Sequence, residues 1–141
     1  MTEDLNRSFV VDYEFNKHFV CFAKQLHLYT KHFPREQKFS MVKELNDLRD
    51  SIHTQAVLAS LKLHKKTSLT DLICAIYLME TKIELCRDLG YFNFKTLEGE
   101  EATLRNEFLG YKRASVLIEL LKPMGIRAKT LISLAHKEGK W

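Results

Sequence analysis

The apolar residues Phe15, Phe19, Phe22, Leu26, Tyr29 and Phe33 step by four and three in strict alternation. An α-helix turns once in about 3.6 residues, so these side chains fall on one narrow stripe, the seam spacing of a bundle helix. A strand cannot use the pattern, because its faces alternate at every residue. Pro34 ends the run, since it lacks an N–H and pushes the residue before it out of helical geometry. A first helix is therefore expected over residues 12–32.

Three more stripes follow. Val42, Leu45, Leu48, Ile52, Ala56, Ala59 and Leu63 call for a helix over 37–64, in which the small residues Ala56, Ala59 and Ser60 admit a close neighbour. Lys65-Lys66-Thr67 interrupts the pattern, and Ser68 is the expected N-cap of a third helix, with Asp71 complementing its dipole. That helix carries Leu72, Ile76, Met79, Ile83 and Cys86, and Gly90 after Leu89 suits a left-handed C-terminal cap. Thr96 is the expected N-cap of a fourth helix bearing Leu104, Phe108, Tyr111, Ser115 and Ile118 and ending at Pro123. A short fifth helix is expected over 127–137.

Only five Gly and two Pro interrupt the 141 residues, so few long helices are the economical reading. The expected fold is all-α: an up-down-up-down four-helix bundle with a short C-terminal fifth helix. Residues 1–141 form a single domain on this reading, with 1–11 flexible and 124–141 a basic C-terminal extension.

Several function classes are disfavoured. No apolar run approaches the roughly 20 residues of a membrane span, and "MTEDLNRSF" is too polar for a signal peptide. Cys21, Cys74 and Cys86 are odd in number and lack CxxC spacing, which fits reduced thiols and a cytoplasmic location without membrane attachment. Di-iron bundles need paired ExxH motifs, and this chain offers only Asp50 to His53, off the apolar stripe. His18, His27, His32 and His64 belong to no recognisable metal-ligand motif. No metal and no cofactor is expected. Arg49 and His53 share a helical face, as in RNA-cleaving helical bundles of the HEPN class, but with a shorter spacing than that motif uses. With no phosphate loop and no nucleophile motif, no catalytic residue is assigned, and the chain is not expected to be an enzyme.

Charge is the remaining signal. The net +4 is segregated: residues 35–66 and 124–141 each carry +3, while 67–123 carry −2. In an up-down bundle, Lys62, His64, Lys65 and Lys66 lie at the same end as Lys122, Arg127 and Lys129, followed by Lys137 and Lys140. Lys112 and Arg113 stand two to three turns above. Such a cluster is the footprint expected for a phosphate backbone or an acidic protein surface. The turn "KHFPREQKF" lies at the other end. There Phe33 and Phe39 are expected to bury the helix ends, leaving Lys31, Arg35 and Lys38 solvated. The neighbouring Tyr91, Phe92 and Phe94 are too many to bury together and are expected to seal a subunit contact.

Three stretches carry a family resemblance: "FPREQKF" after the first helix, "CRDLGYF" closing the third, and "LIELLK" in the fourth. Over residues 12–122 the chain resembles the four-helix-bundle family that includes proteins encoded in ribosomal-RNA intervening sequences and the accessory variability determinant (Avd) of diversity-generating retroelements. The second helix reads "SIHTQAVLAS" where the intervening-sequence branch usually has a SIxxNIAEG-like stretch, so the Avd branch is preferred. Within "YKRASVLIE", Arg113 corresponds to the arginine of that branch's fourth helix.

The resemblance implies a non-catalytic homopentamer that binds a reverse transcriptase and its template RNA to support mutagenic cDNA synthesis. The RNA- and partner-binding residues would then be Lys62, His64, Lys65, Lys66, Lys112, Arg113, Lys122, Arg127 and Lys129. The alternatives are an RNA-binding protein of a ribosomal-RNA intervening sequence, an RNA-cleaving bundle, and a protein-only scaffold.

Overall fold

A computed structural model describes residues 11–94 and 100–141, the first five of the latter by their backbone alone. The expectations for residues 1–10, Thr96 and the side chain of Leu104 lie outside the described residues. Among the described residues four α-helices follow one another: α1 (Tyr13–Thr30), α2 (Met41–Leu61), α3 (Lys66–Asp88) and α4 (Glu100–Lys137). They form an up-down-up-down bundle in which α2 packs on α3, α3 on α4 and α4 on α1, while α1 and α2 touch only slightly. The upper end holds the α1–α2 and α3–α4 connections, and the lower end the α2–α3 turn and the chain's C-terminus.

The first three helices form on the apolar stripes, but the second spans Met41–Leu61 and not 37–64, and Leu63, expected on its stripe, lies beyond it and is exposed. Asp12 caps α1, its carboxylate accepting the Phe15 N–H at 2.9 Å, and Phe15, Phe19, Phe22 and Leu26 are buried. In α3 the whole expected stripe, Leu72, Ile76, Met79, Ile83 and Cys86, is buried. Gly90 takes φ +79 as expected. The Tyr91 N–H reaches the Cys86 carbonyl and the Gly90 N–H the Arg87 carbonyl, both at 3.0 Å, completing a Schellman cap. Gly139 ends α4 in the same way, with φ +69 and a Lys140 N–H to Ala135 carbonyl bond of 2.8 Å.

Four expectations are corrected. Ser68 is not an N-cap: α3 begins at Lys66 with Lys65 in the cap position, and Ser68 is buried without a hydrogen-bond partner for its hydroxyl. Pro123 does not end the fourth helix. It sits inside α4, and the stretch expected to form a fifth helix continues the fourth. An internal proline costs about 3 kcal/mol, yet Leu117, Leu121, Met124 and Ala128 are all buried around it. Burying one such large side chain returns roughly 1.5–3 kcal/mol, so the packing on both sides of Pro123 outweighs its cost.

The third correction concerns the face of α4. Phe108 and Tyr111 are 63% and 55% exposed, and the buried face is Gly110, Ala114, Leu117, Leu121, Met124, Ala128 and Ala135. Small residues face inward because they let α4 lie close to its neighbours. At Gly110 an added Cβ would stand 1.8 Å from Asn93 Oδ1.

The fourth concerns the upper end. Tyr91, Phe92 and Phe94 pack within their own chain: Phe92 is fully buried, with its ring edge-on to Phe33 at 5.0 Å and to Tyr29 at 6.3 Å. Phe33 is buried as expected, whereas Phe39 is 90% exposed. A residue just before an N-cap packs down when the fourth helical residue is apolar. Here Ser40 is the cap and that fourth residue is Glu44, so α2 offers Phe39 no apolar residue at that position.

Candidate nucleic-acid interface

The lower end is built by the α2–α3 turn and the last turn of α4. The Lys65 backbone N–H donates to the Lys140 carbonyl at 2.8 Å, which brings the two basic segments together. Lys62, His64 and Lys66 are exposed around this junction, as is Lys137. Lys65 itself is turned inward. Its ammonium donates to the carbonyls of Ala59 and, at 2.9 Å, of Lys62, satisfying groups that the end of α2 leaves open. Burial, and then the charge of Lys140, push the Lys65 ammonium below its ordinary pKa. Glu138, paired with Lys140 at 3.1 Å, acts in the opposite direction on Lys65.

The residues expected from the fourth helix are distributed differently. Because α4 runs through Pro123, Lys122 stands 15 residues before its end at Lys137, about 22 Å up the helix. Arg127 lies one third of the way down that span and is bound to Asp12, Nε to Oδ2 and Nη2 to Oδ1, each at 2.9 Å. Burial pushes the Asp12 carboxyl up, but the hydrogen bonds from Arg127 and the Phe15 amide, with the guanidinium charge, leave it below its ordinary value. Lys129 holds its ammonium 5.8 Å from the Tyr77 ring, and Lys122 pairs with Glu119 at 2.7 Å.

At the upper end Arg113 is a strut. Its Nη1 donates to the carbonyls of Phe92 at 2.7 Å and Phe94 at 3.1 Å, and its guanidinium lies 3.7 Å over the Phe94 ring. Burial lowers its pKa. Lys112 stands 5.6 Å from the Phe108 ring. Of the nine expected residues, then, Lys62, His64, Lys65 and Lys66 are gathered, Arg127 lines one pocket with Lys65, Lys122 and Lys129 stand elsewhere on α4, and Lys112 and Arg113 belong to the other end.

The remaining candidates are otherwise engaged. Arg49 donates to Asp50 at 3.1 and 3.0 Å and to Asn46 at 3.2 Å, while the His53 ring stacks on Phe19 at 5.3 Å. Among the described residues no group of three or more His, Cys, Asp or Glu could hold a metal ion, and no helix is long and apolar enough to cross a membrane. All three cysteines are free, and burial pushes the Cys86 thiol up to about 12.

The turn at residues 31–40 carries what sequence reasoning passed over. Lys31, Arg35 and Lys38 are exposed beside Phe39, and none of the three cations is in an ion pair among the described residues. The signal was Glu44 at the fourth position of α2, which denies Phe39 an apolar partner there.

No protein-family model matches the chain, and no curated protein or solved structure is significantly similar to it.

Proposed function

We propose that the chain is a non-catalytic RNA-binding adaptor, the accessory protein of a diversity-generating retroelement, which holds a reverse transcriptase and its template RNA for mutagenic cDNA synthesis. The observation that carries RNA binding is the lower end, where Lys62, His64 and Lys66 flank the Lys65–Lys140 junction with Lys137 beside them. Cations concentrated at one end of a rigid bundle suit a phosphate backbone, whose recognition is dominated by charge. The reverse transcriptase and a homopentameric state rest on the resemblance in "FPREQKF", "CRDLGYF" and "LIELLK". Self-association also has surface to use: grooves lined by Tyr77, Ile118 and Ile126 on one side of α3, and by Leu48, Leu78 and Leu85 on the other.

The test uses Lys62→Glu, Lys66→Glu and Lys137→Glu together, leaving Lys65 and Arg127, which hold the fold, in place. Anisotropy with a labelled single-stranded RNA should show binding by the wild type that the triple variant loses, at unchanged helicity. Unaltered RNA binding by the triple variant overturns the electrostatic account.

A further inference from the structure

We propose that the α1–α2 turn is a base-stacking contact for single-stranded RNA, in which the Phe39 ring receives a base and Lys31, Arg35 and Lys38 hold the flanking phosphates. This rests on the RNA-binding reading and places a second contact at the opposite end of the bundle.

Three observations carry it. First, Phe39 is the most exposed large apolar side chain described, at 90%. Three other exposed rings are faced by the chain's own cations, Phe108 by Lys112, Tyr111 by Arg87 and Tyr77 by Lys129, while Tyr13, at 59%, is less exposed than Phe39. Among the described residues neither a ring nor a cation lies against Phe39, so its π-face is open.

Second, the neighbouring cations are unspent. The Arg113, Arg127 and Lys65 side chains are bonded into the fold, whereas Lys31, Arg35 and Lys38 make no side-chain hydrogen bond or ion pair among the described residues. A ring beside free cations is the combination by which single strands are bound without sequence preference.

Third, the turn is held in shape. Pro34 opens a 3-10 turn over Arg35–Gln37, the Gln37 N–H meets the Pro34 carbonyl at 2.9 Å, and the Ser40 hydroxyl donates to Gln37 Oε1 at 3.0 Å. Below it Phe33 is buried against Phe92 and Tyr91. Little ordering is then left to be done on binding, which favours affinity. A lipid surface fits less well, because Phe39 is the one large apolar side chain exposed on the turn and stable anchoring needs more buried apolar area.

The experiment titrates labelled single-stranded oligouridylate into the full chain and into Phe39→Ala, Phe39→Leu and Phe39→Trp. Phe39 buries almost nothing, so all three should fold as the wild type does. Stacking predicts that Ala and Leu each weaken binding about five- to a hundredfold while Trp retains it. Phe39→Ala should leave the salt dependence alone, and Lys31→Gln/Arg35→Gln/Lys38→Gln should reduce its slope by about 2. If the wild type binds RNA but Phe39→Ala binds equally well, the stacking contact is overturned and the RNA reading stands. If Phe39→Leu binds as the wild type does, the ring is only an apolar contact and the proposal fails. If the wild type binds no RNA at about 50 mM salt, both fail.

Discussion

Asp12 does two jobs: it caps α1 through the Phe15 amide and ties that helix to α4 through a two-point bond to Arg127. Its folded pKa lies below the ordinary value, so the stability it adds is present above pH about 4 and is lost as the pH falls through the folded value. Acid titration followed by circular dichroism should show this loss, and Asp12→Asn should flatten it while keeping part of the cap. Asp12→Ala, which removes cap and pair together, should cost about 1–3 kcal/mol in urea unfolding. Ser68 presents the reverse case. Its buried hydroxyl has no partner, so Ser68→Ala removes an unmet desolvation cost and should raise stability by about 1 kcal/mol.

Among the elements, α4 departs most from its sequence pattern. The large apolar residues of its expected stripe, Phe108 and Tyr111, face outward, and its inner face combines Leu117, Leu121 and Met124 with the small residues Gly110, Ala114, Ala128 and Ala135, the small ones letting neighbouring helices approach closely. Gly110 shows the consequence. Alanine there would gain about 1 kcal/mol of helix propensity, but its Cβ would collide with Asn93 at 1.8 Å, and overpacking of this kind costs about 1–3 kcal/mol. Gly110→Ala is expected to destabilise in thermal unfolding, and Asn93→Ala in the same chain to recover most of the loss, a coupling that a double-mutant cycle measures. Pro123 was legible as a breaker but not as a tolerated one, since its tolerance depends on the residues packed either side of it.

For the whole molecule, the expectation of one basic end is half realised. The α2–α3 turn and the C-terminus do meet, through Lys65 and Lys140, and Arg127 shares a pocket with Lys65, but an unbroken α4 holds Lys122 and Lys129 away from the junction. The aromatic residues expected to join subunits are used inside the monomer instead, clamped by Arg113. The proposed subunit contacts are assigned to the apolar grooves beside α3. Leu78→Glu with Leu85→Glu should therefore reduce the mass measured by light scattering without loss of helicity, and an unchanged mass would remove this face from the interface.

The sequence by itself determined what is local and periodic. The stripes of α1 and α3 and the left-handed cap at Gly90 follow from 3.6-residue geometry and from glycine's freedom at positive φ. Only the tertiary structure decided which face of α4 turns inward, that Pro123 would be carried through, and which cations remain free. Those outcomes depend on what the rest of the chain offers in space: carbonyls for Lys65 and Arg113, a carboxylate for Arg127, and no ring partner for Phe39 among the described residues.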